Sequence, residues 1–281
     1  MPAVSLALVE QVLAQAEPRV VQVPDDIQFS AIDSGGLHSL AIDESGELYG
    51  WGDNTRGRTG LGKNSVKPEA VGPVDGTAFE HIEAANGHSL ALTSEGKVFA
   101  WGRGTEGQLG DANKVDRSAP TAVALPAEII ALMKIDAFNA HNLGFTKDGS
   151  LVTWGFNNVG QLGNGTIDDQ ATPARVNLAS GVAAIRLFAA GSNHSLAVGS
   201  DGQIYQWGQH KGSFVPPTTA PEPISLPEGA GTIVIVDAGH DHSAALDHHG
   251  NLYTWGQNEY GQLGTGTTEP EVLPVIVKLP N

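Results

Sequence analysis

Short apolar runs separated by glycine-bearing turns recur along the 281-residue chain. Leu40-Ala41-Ile42 and Leu90-Ala91-Leu92 are two such runs, too short for a helix and of the right length for the middle of a strand. Each run is followed by a turn that ends in glycine: Asp43-Glu44-Ser45-Gly46, Thr93-Ser94-Glu95-Gly96, Lys147-Asp148-Gly149, Ser200-Asp201-Gly202 and His248-His249-Gly250. Glycine at that place supplies the positive φ that a tight hairpin needs. Beyond the turn, segments such as Leu48-Tyr49-Gly50-Trp51 and Leu252-Tyr253-Thr254-Trp255 alternate, and a period of two sends one set of side chains inward. The pattern predicts one β-hairpin per unit.

Five of these units align without gaps: Gly35–Gly57, Ala85–Gly107, Phe138–Gly160, Gly191–Gly212 and Gly239–Gly261. Their histidines are His38, His88, His141, His194 and His242, and their tryptophans are Trp51, Trp101, Trp154, Trp207 and Trp255, all five tryptophans of the protein. The interval from histidine to tryptophan is the same in every copy, whereas the interval from tryptophan to the next histidine varies. A fixed interval marks a rigid supersecondary unit and a variable one marks a loop. The repeat histidines are read as buried hydrogen-bonding residues, and Ser39, Ser89, Ser195 and Ser243, with Asn142 in the third copy, as their structural companions.

A second motif fills the variable stretch. It runs Pro18–Pro24, Pro120–Pro126, Pro221–Pro227 and Pro274–Pro280, with weaker copies from Pro68 and Pro173. Proline cannot donate to a ladder, which confines such a strand to an edge. With the apolar run ahead of each histidine, the count reaches four short strands per ~50 residues, the signature of a propeller blade. The expected fold is therefore all-β, a β-propeller of about five four-stranded blades. A leader occupies residues 1–17 and a single propeller domain residues 18–281. Six edge motifs against five hairpin units leave one in surplus, and a compact five-membered ring is the favoured arrangement.

The string Gly-x-x-His-Ser-Leu-Ala-Leu, followed by Gly-x-Leu/Val-Tyr/Phe-x-Trp-Gly-x-Asn-x-x-Gly-Gln-Leu-Gly, resembles the regulator of chromosome condensation repeat family over nearly the whole chain. The resemblance implies a propeller of four-stranded blades, usually seven of them in that family. It also permits guanine-nucleotide exchange on a Ran-like small GTPase, or inhibition of an enzyme through one propeller face. Light sensing, also known in the family, needs clustered tryptophans beyond the blade set, and none are present.

Composition narrows the function. The net charge of −16 argues against wrapping nucleic acid, which requires a basic face to displace counterions, and against anionic lipid. The chain contains no cysteine, which removes disulfides and thiolate chemistry. No apolar run is long enough to span a membrane as a helix. The leader Met1–Ala16 reads either as a short docking helix with Val4, Leu8 and Val12 on one stripe, or as a signal peptide ending Ala14-Gln15-Ala16. A cytoplasmic location is expected in the first case and secretion in the second.

Three motifs imitate catalytic or cofactor sites. Gly102-Arg-Gly-Thr-Glu-Gly107 spells the dinucleotide fingerprint, but no helix start follows, and sister repeats hold Asn54, Asn157 and Asn258 where Gly104 stands. Gly57–Asn64 nearly spells a phosphate loop but ends on asparagine. Gly87-His-Ser-Leu-Ala91 imitates a nucleophile elbow, yet its serine recurs from blade to blade, which favours a structural role. The cluster Asp237, His240, Asp241, His242, Asp247, His248 and His249 is explained mostly by the repeat. No catalytic residue, metal or cofactor is expected.

Function in such a scaffold is carried by loops. The fourth unit departs most: after Trp207-Gly208 it reads Gln209-His210-Lys211-Gly212-Ser213-Phe214-Val215-Pro216-Pro217, and the Gly-Gln-Leu-Gly of its sisters is missing. Phe214 and Val215, with His210 and Lys211, form a candidate partner anchor. Arg56 and Arg58 stand on a turn that elsewhere carries glutamine and mark a candidate basic spot. The expected role is a non-catalytic protein-interaction scaffold, its partner another protein, a small GTPase being one option. Unpaired strand edges would also allow oligomers.

Overall fold

The computed structural model describes residues 20, 21, 23, 27–72, 74, 76–178, 182, 184–209 and 217–278. Twenty strands form five antiparallel sheets of four, each built from consecutive strands. Blade 1 contains β1 (Phe29–Ser34), β2 (His38–Asp43), β3 (Leu48–Gly52) and β4 (Ser65–Ala70). Blade 2 contains β5 (Phe79–Ala84), β6 (His88–Thr93), β7 (Val98–Gly102) and β8 (Arg117–Ala122). Blade 3 contains β9 (Leu132–Ala137), β10 (His141–Thr146), β11 (Leu151–Gly155) and β12 (Gln170–Arg175). Blade 4 contains β13 (Ile185–Ala190), β14 (His194–Gly199), β15 (Ile204–Gly208) and β16 (Thr218–Ile224). Blade 5 contains β17 (Ile233–Ala238), β18 (His242–Asp247), β19 (Leu252–Gly256) and β20 (Glu271–Ile276).

The constant spacing of histidine and tryptophan is the hairpin register. Ser39 pairs with Trp51, Ser89 with Trp101, Asn142 with Trp154, Ser195 with Trp207 and Ser243 with Trp255. The residue after each histidine thus lies beside the tryptophan. The turn glycines Gly46, Gly96, Gly149, Gly202 and Gly250 all take φ between 79° and 86°, the left-handed region that side chains resist. A bulge in the first strand, between Phe79 and His81 in blade 2, brings Phe79 and Ile82 onto the same side.

The outer strands settle the surplus motif. Pro68, Pro120, Pro173, Pro221 and Pro274 lie in β4, β8, β12, β16 and β20, each completing the blade of the hairpin before it. The copy at Pro18–Pro24 is the odd one: Val20, Val21 and Val23 are in no strand, and the rest of it lies outside the described residues. So do Met1–Glu17, the predicted leader.

The apolar core lies between blades. Leu40, Ile42 and Leu48 of blade 1 pack on Phe79, Ile82 and Trp101 of blade 2. Leu90, Leu92 and Val98 meet Leu132, Ile135 and Trp154 in the same way at the next junction. Corresponding clusters join blades 3 and 4 and blades 4 and 5. Each blade therefore presents one apolar face to the blade before it and another to the blade after it.

The favoured five-membered ring is left open between blade 5 and blade 1 among the described residues. Among the described residues, no sheet pairing, hydrogen bond or apolar cluster joins blade 5 to blade 1. Ile32 is 68% exposed, whereas its counterparts Ile82 and Ile135 are each 3% exposed. The other four tryptophans are at most 1% exposed, but Trp51 is only half-buried. The physical reason is the repeat itself: each face is shaped for a neighbouring blade, and among the described residues the five blades form an arc that leaves its two end faces uncovered.

Candidate interaction surfaces

Within the arc, the repeat histidines and hydroxyls are bound to the framework. His38 Nε2 lies 2.7 Å from Ser89 Oγ, His141 Nε2 2.9 Å from Ser195 Oγ and His194 Nε2 2.9 Å from Ser243 Oγ. His88 Nε2 approaches Asn142 Oδ1 at 2.6 Å. Each bond crosses to the next blade. Ser89 Oγ gives its one proton to the Arg58 carbonyl at 2.7 Å, so His38 must donate from Nε2. Likewise Ser195 Oγ donates to the Gln161 carbonyl at 2.8 Å, and Asn142 Nδ2 to the Gln108 carbonyl at 2.9 Å. Trp154 and Trp207 donate from Nε1 to those same two carbonyls. The neutral imidazole is the form these bonds require. Burial drives His88 down to about 4 and His141 down to about 3, and burial together with the charge of Arg58 holds His38 at about 4. A serine that is fully buried and already donating to a carbonyl cannot serve as a nucleophile.

Blade 4 breaks this scheme in one respect that sequence reading missed. Trp255 Nε1 donates to the Gln206 side-chain Oε1 at 2.7 Å rather than to a loop carbonyl. The signal was present in the sequence, because Gln206 stands where the sisters have Gly50, Ala100, Thr153 and Thr254.

The loops after the tryptophan strands form a second surface. Asn157 Nδ2 donates to the carbonyls of Thr166 and Asp168, and its Oδ1 accepts Leu162 N–H at 2.9 Å. Asn258 does the same with Thr267, Glu269 and Leu263. In blade 2 the Val115 carbonyl sits 2.1 Å from where a Cβ on Gly104 would stand. The apparent dinucleotide fingerprint is thus a packed turn, and no helix follows it. The near-phosphate loop ends likewise in structure, with Asn64 Oδ1 accepting Asn54 N–H at 2.8 Å.

The two candidate arginines of this face part company. Arg58 is buried, donating to the carbonyls of Thr55 at 3.0 Å and Asn86 at 3.3 Å. Arg56, at φ 63°, projects outward and reaches Asp116 of blade 2 at 3.5 Å. Other loop cations are also paired, Arg117 with Asp111 at 2.6 Å and Lys114 with Asp169 at 3.4 Å. His210, Lys211, Phe214 and Val215 lie outside the described residues.

A third surface is the central cavity of about 570 Å³, lined by the first strands of all five blades. Asp33, Glu83, Asp136 and Asp237 recur there, five positions before the repeat histidine. Asp33 accepts the Ala84 N–H of blade 2 at 2.5 Å and Asp136 the Ala190 N–H of blade 4 at 2.8 Å. At the open end, Asp237 accepts its own neighbour Ala238 N–H. Burial and the negative charge of Glu83 push Asp136 up to about 8. Burial also raises Glu83, despite its 2.8 Å bond with His81. Among the described residues, no group of three or more histidines and carboxylates is placed to hold a metal ion.

Consecutive four-stranded blades, joined through a histidine–serine relay and arranged round an acidic cavity, define a repeat β-propeller. Models of the regulator of chromosome condensation (RCC1) repeat match residues 45–92, 95–135, 148–198 and 249–281 in one form, and 29–58, 80–108 and 233–262 in another. The chain belongs to the regulator of chromosome condensation repeat family. It is 31% identical over 200 residues to the E3 ubiquitin-protein ligase HERC2 of Homo sapiens, a match covering 69% of this chain and 4% of that protein. It thus spans a small part of that relative. Human WBSCR16 superposes with a TM-score of 0.81 at 26% identity, covering 92% of this chain and 70% of the other. Yeast RCC1 (Prp20), solved with Kap60 bound, superposes at 0.68 with 22% identity, covering 89% of this chain and 75% of the other. Among the described residues, no helix is long and apolar enough to cross a membrane.

Proposed function

We propose that this chain is a non-catalytic protein-interaction propeller that docks partners on the face carrying the loops after the tryptophan strands. One observation carries the reading: the repeat histidines of blades 1 to 4 and the serine or asparagine that follows the histidine in blades 2 to 5 are consumed in bonds between blades, which leaves the loops as the place where the repeats differ. The fourth loop differs most. Just ahead of it in the chain, Gln206 takes the bond from Trp255 that the loop carbonyls of Gln108 and Gln161 take from Trp154 and Trp207. In sequence that loop offers Phe214 and Val215 as an apolar anchor, with His210 and Lys211 as its polar companions, all outside the described residues, and Arg56 is an exposed cation of the first loop. Anchors of this kind dominate binding energy when they enter a partner's pocket.

Comparison of partners captured by the wild-type chain and by Phe214→Asp tests this reading. Loss of at least one partner, with folding intact by circular dichroism, is expected; an identical partner set overturns the anchor. A second reading is regulation of a small GTPase, supported by the solved Prp20p of Saccharomyces cerevisiae, which is described with its binding properties to Gsp1p and histones. That is a fold-level analogy. Nucleotide release measured over a panel of Ran-like GTPases decides it, and unchanged rates throughout remove it.

A further inference from the structure

The central cavity opens on the same face as the loops after the tryptophan strands. In blade 1 Ser34 pairs with Ser39 and Ser39 with Trp51, so the inner strand ends at the level where those loops begin. Several acids elsewhere in the protein stand beside cations of their own: Asp111 pairs with Arg117, Asp148 with Arg175 and Glu69 with Lys63. In the cavity the pattern is different. Asp33, Glu83, Asp136 and Asp237 line it, and no lysine or arginine is among the residues that bound it. Its histidine, His240, is already held by Asp241 at 2.6 Å, and Glu83 is held by His81. Like charges crowded into a half-buried space are unfavourable unless a cation joins them, and burial with the charge of Glu83 keeps Asp136 up at about 8.

Blade 4 adds a second, independent feature. Where its sisters have an acid five positions before the histidine, it has Ala189. Further along the same wall Ser192 bounds the cavity and is only 3% exposed, and its hydroxyl has no hydrogen-bond partner among the described residues. A buried hydroxyl of this kind costs free energy until a ligand reaches it. Beside it runs a polar rim, in which Asn86 Nδ2 donates to Asn139 Oδ1 and Asn139 Nδ2 to the Ser192 carbonyl, each at 3.4 Å. The carboxylates are spread over several blades rather than gathered round one point. A planar guanidinium suits such a spread, because it carries its donors in a rigid fork at the end of a long stem. We propose that the central cavity receives an arginine side chain of a partner protein, its guanidinium bonded to Glu83, Asp136 and Ser192 Oγ. The net charge of −16 favours a partner that presents a basic segment. Such docking rests on the reading of this face as the binding side and adds the chemistry of what binds there.

The probes are an acetylated and amidated Gly-Arg-Gly peptide and its neutral citrulline counterpart, titrated into the full chain and followed by amide NMR. The amides of Ala84 and Ala190 donate to Asp33 and Asp136 and serve as reporters. The arginine peptide should shift them saturably, and the citrulline peptide should bind about tenfold more weakly. Asp136→Asn keeps an acceptor for the Ala190 N–H and should weaken the arginine peptide about fivefold. Ser192→Ala removes no side-chain bond of the folded chain and should weaken it about threefold. Glu69→Gln takes the same charge from the outer strand of blade 1 and should leave binding unchanged. Equal shifts with both peptides overturn the proposal, as does binding that survives both cavity variants. Calcium chloride that saturates the same reporters more tightly than the arginine peptide overturns it too, in favour of a metal site. Phe214→Asp should bind the arginine peptide as the wild type does. If no reporter moves, the cavity proposal falls, while the loop anchor still stands or falls on its own captured partners.

Discussion

Ile135 and Ile32 occupy the same place in the first strand of their blades, yet one is sealed against blade 2 and the other stands on the free face of blade 1. Their surroundings within the blade are nearly identical. What differs is the neighbour, so the apolar pattern of each repeat is written for the blade beside it rather than for its own sheet. Hydrogen bonds hold a blade flat, while the hydrophobic free energy is gained at the junctions. Stability should then accumulate junction by junction, as in other quasi-one-dimensional repeat proteins.

The largest expected contrast is between two tryptophans. Trp154→Ala opens a cavity in the sealed junction of blades 2 and 3 and should cost about 3–5 kcal/mol; Trp51→Ala should cost less than half as much. Urea unfolding measures both, and equal losses would break the comparison. Acidification comes next. The folded-state values of His38, His88 and His141 lie below the ordinary histidine value of 6.5, so the unfolded chain binds more protons. Their contribution is present above about 6.5 and is lost as the pH falls towards 4. Asp136 works in the opposite sense: its folded value of about 8 lies above the ordinary aspartate value of 3.8, so its contribution is present in acid and lost as the pH rises through 8. Stability should therefore peak near pH 6.5 and fall on either side. A denaturation midpoint that rises steadily down to pH 4 would contradict the neutral relay.

A smaller effect separates the histidines at the junctions from the one at the end. His141→Ala removes a buried bond to Ser195 and should cost about 1–3 kcal/mol, whereas His242→Ala on the half-buried end should stay within ~0.5 kcal/mol. Smallest of all is Arg56→Ala. Its ion pair with Asp116 is exposed on both sides, and loss of such a pair should change stability by no more than about 0.5 kcal/mol. The same variant would still alter partner binding if the loop face is the docking side.

Much of this architecture was legible because it repeats. The glycine turns, the fixed register of histidine and tryptophan and the proline-bordered outer strands all follow from local chemistry, and each recurs where expected. The phase of the blades was harder to read. A proline motif flanked by two hairpins belongs equally well to either in sequence, and only pairing of β4 with β3 assigns Pro68 to the hairpin before it. Closure was not legible either, since it depends on the angle between sheets, a sum of small twists that no single residue encodes. Arg56 and Arg58 looked alike because a loop has no period to tell inside from outside. The acidic ring of Asp33, Glu83, Asp136 and Asp237 had a visible signal, its constant offset from the histidine, but four residues among many acids did not stand out.

Each sheet is made from one uninterrupted stretch of chain. The connections between sheets, at 71–78, 123–131, 176–184 and 225–232, therefore cut no ladder. Recombination at those places adds or deletes a whole blade and restores the same junction chemistry on either side, His to Ser or Asn. The gene encoding such a protein can change in length by single repeats without passing through an unpaired strand, and each change resets how wide a gap the arc presents to its surroundings.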